Sequence, residues 1–551
     1  RFDIMGNEKE KIAKEEIRQA LESMRGRVHA VAVSGYASVR NPRHEQEIDL
    51  MAREILDVPV VCAHQLTSAL GFDHRTITAV LNGRLIPVIS ELFRAIKNML
   101  ENKDINAPVM IVKGDGTLMT EEEAKKRPVD TILSGPAASV TGGLALTGYK
   151  SGLVYDMGGT TSDLAEIEKG LVRIKAEGAK VGGWLTRVKA AEISTFGLGG
   201  DSKLQLDRKG KVVVTTERVV PLCIAGYMYK NLDRELHSFR RMGEFKQFPV
   251  NEVDCYIYSG GEYDELPEDI KNGPFAKILQ ILVKGPHSAY YLADAIGIDP
   301  EKLDVDELVN SGILAKAAMT PTDLLHIEGS YTRWEKDISY KGAELLGKRA
   351  GLSISQFVSE AKAAIRKRMA MIILQSTADM DGDEVTYADS SEAMNIIDMA
   401  FGLKSSGLIK PSLKIKKPII AIGAPAEAWL PQMSEIFDTE VLVPENADVA
   451  NAFGAAVSQV VQKVDMEILQ SGEHYLLNTP WQRYVCNSMD EALFYAVHEG
   501  RKFVEHKLRD AGCDKWDIKE ESNVRKIKNE ITGEMMYLGT DFTVTGIGSA
   551  L

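Results

Sequence analysis

In the segment DMGGTTSD (residues 156–163), two carboxylates flank two glycines and three consecutive hydroxyl residues. Each residue type has a use beside a phosphate. Gly158 and Gly159 let the backbone approach a ligand closely and take up positive φ. Thr160, Thr161 and Ser162 add hydroxyl donors, and the backbone N–H groups of such a turn can cradle phosphate oxygens. Asp156 ends an apolar run and is placed to hold Mg²⁺ through the water that this ion keeps. Asp163 is a second candidate acid. The same letters also describe a tight hairpin whose acids and hydroxyls cap their own backbone. The segment alone does not choose between the two.

Other segments weigh on that choice. FGLGGDS (196–202) is a second glycine loop after a strand and contributes Gly199, Gly200 and Asp201. AIGAPA (421–426) follows a third apolar strand and contributes Gly423 and Ala424. DVANAFGAA (448–456) opens a helix with small residues where close approach is needed, and it carries Asn451. Glycine loops at several separate strand ends are what a nucleotide in a cleft between two lobes requires. They favour the phosphate reading. Asp201 is open to two readings, a metal or substrate contact and a loop-capping aspartate.

The elements that position these loops can be read from periodicity. Residues 8–25 read as an amphipathic helix with Ile17, Leu21 and Met24 on one stripe. Strands are expected at 28–36 and 58–63, with a helix at 41–56 capped by Asn41 and carrying Pro42 at its first position. That alternation implies a parallel sheet with covering helices. A helix is expected over 75–100, kinked or broken at Pro87, then a strand–turn–strand at 107–120. Residues 184–214 read as strand, glycine loop and hairpin, and helix resumes at 340–374. Strands at 417–426 and 440–445 precede a helix at 447–464 and another at 488–511, and the tail is β-like.

Composition narrows the function class. Of 551 residues, 44% are hydrophobic and 26% charged, a mix that can build a sizeable core in several domains. A net charge of −13 argues against a general nucleic-acid binder. Five scattered cysteines without a CxxC pair argue against a disulfide framework or thiolate zinc site, and they fit a reducing, cytoplasmic setting. The N-terminal residues have charge without an apolar core, so they are no signal peptide, and no run is expected to span a bilayer. The chain does not begin with methionine, which suggests a start within a larger protein.

ILSGPAASVTG (132–142), YDMGGTTSD, MTPTDLLHIEG (319–329), GAPA and PENADVANAFGAA (444–456) occur in this order, and VAVSGYASVRNPRHEQEI (31–48) precedes them. Together they resemble the A-type hydantoinase/5-oxoprolinase family, over most of the chain. The resemblance implies an α/β, actin-like ATPase fold, with two ribonuclease-H-like βα lobes around a nucleotide cleft. It implies ATP with Mg²⁺ as cofactors, with Gly158, Gly159, Thr160 and Thr161 touching the β- and γ-phosphates and Gly423 closest of the later motifs. Asp156 and Asp163 are then the catalytic acids and Asp156 the metal ligand; Gly199, Gly200, Asp201, Ala424 and Asn451 join the cofactor contacts. The implied reaction is opening of a cyclic amide such as a hydantoin, 5-oxoproline or a related lactam. The implied partners are a B-type subunit and further copies in an oligomer, with no membrane and no nucleic acid. Family members open on a similar aspartate–glycine–glycine–threonine loop; this sequence contains one such loop, so the nucleotide grip is conditional on an upstream half.

On this reading 1–145 is the remainder of the N-terminal lobe and 146–264 the second-lobe core with the phosphate loop. Residues 265–335 form a small winged-helix-like insertion, 336–465 a helical part with nucleotide-site strands, and 466–551 a C-terminal α+β segment. The insertion raises a rival function, a DNA-binding regulator. Its presumed recognition region, DPEKLDVDELVNSG, is acidic where phosphate contacts need Lys and Arg, so a structural role is favoured. Two further rivals are the ATP-using subunit of a ketone carboxylase and a non-catalytic ATPase-fold regulator. Asp323 and His326 could form a base or ligand pair, with a structural histidine the favoured reading. His64 and His74 read as ordinary.

Overall fold

Leu153, Val154, Tyr155 and Met157 are all buried, which an apolar run of this length achieves as a central strand covered on both faces. In the computed structural model, Gly152–Met157 is that strand. The structure describes residues 1–175, 177–181, 183–230, 232–238, 253–383, 385–404, 408–528 and 535–550. The chain divides into two compact units. The first comprises Arg1–Ala145, Val172–Glu192 and Asn451–Leu551, and the second Leu146–Leu171 and Ile193–Ala450.

The second unit is built on a mixed sheet ordered Ile193–Phe196, Ser162–Glu168, Gly152–Met157, Ile419–Ile422, Val441–Leu442. Gly152–Met157 runs antiparallel to Ser162–Glu168 and parallel to Ile419–Ile422. This register brings the ends of three strands, and the loops that follow two of them, to one place. Helices Lys336–Ala350 and Ile354–Asp381 supply much of the core, through Leu346, Phe357, Ile365, Met369 and Ile373. The expected helix at 340–374 is therefore two. Gly351 at φ +73° ends the first, and a Ser353–Gln356 capping box starts the second.

The segment expected as an insertion contains helices Ala276–Leu282, Ala289–Ile296 and Asp306–Asn310 around their own core of Ile278, Leu279, Leu292 and Leu308. The strand after them, Leu314–Ala318, pairs antiparallel with Cys255–Tyr258, which precedes the helices, rather than with a following hairpin strand.

In the first unit, Val31–Val33 and Val60–Cys62 pair in parallel across helix Arg43–Ile55, as the alternation predicts. Pro42, not Asn41, occupies the cap position, and Asn41 Oδ1 accepts the Arg43 N–H at 3.3 Å. The first helix is shorter than expected, Lys14–Met24, with Leu21 buried. The antiparallel sheet of Arg483–Cys486, His474–Asn478, Val460–Ser471, Met535–Ala550 and Cys513–Lys528 is covered by helix Met489–Asp510.

Three expectations need correction. Helix Phe72–Glu101 continues through Pro87, so of the expected kink or break the break does not occur. By length and composition this helix could cross a bilayer, contrary to the expectation that no run could. It also serves as a core helix, burying Ala79 against Val61 and Leu66, and Phe93 against Met119 and Ala124. The helix expected over 447–464 ends at Val457, and Val460–Ser471 is a strand. From Val460 the β-branched, alternating residues take up ladder bonds with Met535–Ala550 instead.

Candidate phosphate-binding site

Asp156 and Asp163 are directly opposed in the antiparallel register. Opposed Cα atoms lie about 4.5–5.5 Å apart, so the strand pair holds two carboxylates side by side at the end where the turn joins it. Thr195, across the sheet, donates its hydroxyl to Asp163 Oδ1 at 2.6 Å. Burial raises the Asp163 carboxyl above its ordinary value, the Thr195 hydrogen bond opposes that rise, and the charge of Asp156 adds to it.

Between the two acids the chain makes a tight turn, with the Gly158 N–H donated to Thr161 O at 2.9 Å. Among the described residues, no protein acceptor takes the N–H groups of Gly159, Thr160 or Thr161, and the Thr160 and Thr161 hydroxyls donate to no protein atom. The self-capped hairpin would have spent these groups. Ser162 is the exception, its hydroxyl tied to Leu198 O at 2.8 Å.

The second glycine loop is bonded to the first. Gly200 N–H donates to Gly158 O at 3.2 Å and Asp201 N–H to Gly159 O at 2.6 Å. The fit leaves no room for side chains, since a Cβ on Gly199 would lie 2.7 Å from Gly158 O and closer still to Gly159 O. The Asp201 carboxylate accepts no hydrogen bond among the described residues, so it does not cap its loop. It lies over Gly159, where a Cβ would meet its Oδ2 at 3.4 Å, and its nearest cation is Arg218 at 3.9 Å. Burial raises its carboxyl pKa, Arg218 opposes this, and Asp323 adds to it.

Gly423 joins from the neighbouring strand. Ile422 is the register partner of Asp156, and Gly423 follows at φ +96°, a backbone state that favours glycine. A Cβ there would lie 2.8 Å from Asp156 Oδ1. Ala424, beside it, is exposed. The structure thus assembles Asp156, Asp163, Gly158–Thr161, Gly199–Asp201 and Gly423 at one end of one sheet.

Asn451 belongs to the first unit. Its Nδ2 donates to Gly135 O at 2.7 Å and Ser139 Oγ at 3.0 Å, so it binds the helix Ser134–Thr147. Gly454 packs on that same helix, against Ala138 and Gly142. The small residues of DVANAFGAA therefore serve helix packing, and the two motifs 132–142 and 444–456 meet each other there.

Asp323 and His326 are structural, as favoured. Asp323 accepts the Leu222 and Cys223 N–H groups at 3.1 and 2.7 Å and the Ser339 hydroxyl at 2.7 Å. His326 Nδ1 bonds Thr322 O at 2.9 Å, and its Nε2 accepts the Trp334 N–H at 3.2 Å. The residue of that motif which reaches the glycine loops is Thr322, whose N–H and hydroxyl both donate to Gly200 O, at 3.2 and 2.9 Å. A threonine just inside the first turn of a capped helix was the only sequence signal for it.

Among the described residues, one trio of potential metal ligands, Glu45, Cys62 and His64, comes together in the first unit. Burial, with Asp49 and Glu45 nearby, pushes the Cys62 thiol up to about 12, so it stays protonated, and Glu45 is already bonded to His64 at 2.6 Å. These groups hold each other rather than an ion. All five cysteines are unpaired and buried.

Comparison with known proteins gives this arrangement a setting. Residues 75–220 match the hydantoinase/oxoprolinase family and residues 1–56 match its N-terminal region. Over 191 residues the chain is 31% identical to caprolactamase subunit alpha of Pseudomonas jessenii, covering 34% of this chain and 27% of that protein. It is 28% identical over 221 residues to the acetophenone carboxylase gamma subunit of Aromatoleum aromaticum, covering 38% and 30%. These alignments span less than a third of either relative's length. The crystal structure of the ATP-dependent caprolactamase from Pseudomonas jessenii superposes with a TM-score of 0.58 at 17% identity, over 100% of this chain and 69% of that one. This last likeness is one of fold.

Proposed function

We propose, for a chain that belongs to the hydantoinase/oxoprolinase family, ATP-dependent hydrolysis of a cyclic amide by phosphoryl activation of the amide oxygen. The observation that carries it is the loop pair at the end of the Gly152–Met157 strand, where three successive N–H groups have no protein acceptor among the described residues. Backbone N–H groups left open in a glycine turn are donors for phosphate oxygens. The relatives' names fit the chemistry: one is a caprolactamase subunit and a solved caprolactamase is ATP-dependent.

The residues present fit ATP and Mg²⁺. The charge of Asp156 raises the Asp163 pKa, a repulsion that a divalent cation beside the opposed pair would relieve, and the absence of a Cβ at Gly199 and Gly423 lets the loops pack closely on one another. Asp156 would hold the metal. Gly158, Gly159, Thr160 and Thr161 would bind the β- and γ-phosphates, with Gly199, Gly200 and Gly423 packed against them. When bound, ATP and Mg²⁺ supply the phosphoryl group and the neutralisation of its charge. Asp163, whose raised pKa brings it nearer to exchanging a proton, is placed to receive or return one. Asp201, uncommitted to its own loop, is a second acid toward the ligand. An unactivated amide is a poor electrophile, and phosphorylation of its oxygen opens the ring carbon to water. Preorganised N–H donors that do not need to reorient lower the barrier to that transfer.

The fold we infer is actin-like, with a B-type subunit completing the enzyme in a cytoplasmic setting. A second reading, the ATP-using subunit of a ketone carboxylase, is supported by the acetophenone carboxylase relative. ATP turnover by the full-length protein with Mg²⁺, in the presence of hydantoin, 5-oxoproline, other lactams or simple ketones, separates them. Stimulation by one cyclic amide, lost in Asp156→Ala, supports the hydrolase; stimulation by a ketone with bicarbonate dependence and a carboxylated product supports the carboxylase.

A further inference from the structure

The open N–H groups of the first glycine loop belong to peptide planes whose other ends are bonded. In a trans peptide the C=O of one residue and the N–H of the next point in opposite directions. The Gly159 carbonyl and the Thr160 N–H therefore share one plane, and the Gly158 carbonyl and the Gly159 N–H share another. Gly159 O accepts the Asp201 N–H at 2.6 Å, and Gly158 O accepts the Gly200 N–H at 3.2 Å. The second loop thus holds both planes by their carbonyls. It turns the two N–H groups, which have no protein acceptor among the described residues, to the opposite side.

The second loop is held in its turn. The Asp201 N–H shares its plane with the Gly200 carbonyl. That carbonyl accepts the Thr322 N–H at 3.2 Å and the Thr322 hydroxyl at 2.9 Å. The backbone donor is available because Thr322 stands in the first turn of the helix Pro321–Glu328, where N–H groups have no partner within the helix. The contact is close, since a Cβ on Gly200 would lie 2.8 Å from Thr322 Oγ1. Thr322 itself is fixed from both sides. Thr320 caps the helix and donates its N–H and hydroxyl to Asp323 Oδ2 at 2.9 and 2.8 Å. Asp323 is buried and tied to Leu222, Cys223 and Ser339. All of these residues lie in the second unit. One bonded line therefore runs from a fixed helix start, through the Gly200–Asp201 plane and the Gly159–Thr160 plane, to the open N–H of Thr160. Hydrogen bonds in series polarise one another, so donors at Gly200 O both aim and strengthen the N–H at the far end.

We propose that Thr322 is a positioning residue for the bound phosphate, acting through these two peptide planes to aim the Thr160 N–H. It touches no ligand itself, and its role rests on the phosphate reading of the first loop.

Thr322→Val removes the hydroxyl and keeps the shape and the backbone N–H, whereas Thr322→Ser keeps the hydroxyl. The full-length protein is titrated calorimetrically with Mg²⁺ and a non-hydrolysable ATP analogue. Thr322→Val should bind about fivefold more weakly, the worth of one neutral hydrogen bond, and Thr322→Ser within about twofold of the parent. Amide hydrogen exchange in the nucleotide-free proteins should be faster at Gly200 and Asp201 in Thr322→Val than in the parent or Thr322→Ser, with melting curves confirming that each variant folds. A role in stability alone would lower the melting temperature and leave the affinity as it is. In the parent, with no substitution needed, exchange at the same two amides should slow when the analogue binds. Equal affinity in Thr322→Val and the parent, exchange unchanged by Thr322→Val, or no slowing on analogue binding would each overturn the proposal and leave the phosphate reading standing. A parent that binds no analogue would overturn the phosphate reading and the proposal with it.

Discussion

Gly199→Ala perturbs the joint between the two glycine loops most directly. The new Cβ would meet Gly158 O at 2.7 Å and Gly159 O closer still. Both are backbone atoms of the opposite loop and cannot rotate aside, so the loops must part. Parting strains the hydrogen bonds from Gly200 to Gly158, 3.2 Å, and from Asp201 to Gly159, 2.6 Å. At about 1 kcal/mol net for each of the two bonds and about 1–3 kcal/mol for the overpacking, the cost is roughly 3–5 kcal/mol. If half of it is felt by bound nucleotide, ATP affinity falls by roughly 13- to 70-fold. Calorimetric titration of ATP into the full-length protein with Mg²⁺ measures the affinity, and a thermal melt measures the stability. An alanine at 199 that left both ATP affinity and the melting temperature unchanged would mean that the two loops are not joined in this way.

Other expectations concern charge and burial. The Asp163 carboxyl is held above its ordinary 3.8, first by burial and also by Asp156. Its stabilising contribution is full below the unfolded value and lost as pH rises through the folded one, so Asp163→Asn should gain in melting temperature relative to the parent across that rise. Lys203 and Asp254 are a buried ion pair, with Glu217 3.5 Å from the lysine. Asp254→Ala should cost about 3 kcal/mol in urea unfolding, and Lys203→Met with Asp254→Leu should recover much of it. All five thiols are buried. The native protein should leave them unmodified by a thiol reagent, and all five should react once it is unfolded in denaturant.

The site was legible in the sequence to the extent that glycines and strand ends carry it. Asp156, Gly158, Gly199 and Gly423 stand out as candidates because apolar strands run into small residues there, a pattern that a self-capped hairpin shares until the neighbouring loops are considered. Which loop touches which was not legible, because it depends on the register that sets Asp156 opposite Asp163 and beside Ile422. Thr322 was missed because its bonds run to Gly200, far away in the chain. DVANAFGAA was read for its small residues, and they do serve close approach, but to the helix Ser134–Thr147. His64 looked ordinary beside His74, since its partner Glu45 lies 19 residues away on a separate helix. The stretch after Val457 was misjudged because its apolar residues fit both periods, and pairing with a strand at the far end of the chain decided for β.

On the proposed function, the paired glycine loops hold the phosphates of ATP. A crystal structure of the full-length protein with Mg²⁺ and a non-hydrolysable ATP analogue tests it most directly. The β- and γ-phosphates are expected against the N–H groups of Gly159, Thr160 and Thr161, with the metal beside Asp156. Phosphates bound elsewhere, with these N–H groups facing only water, would contradict it.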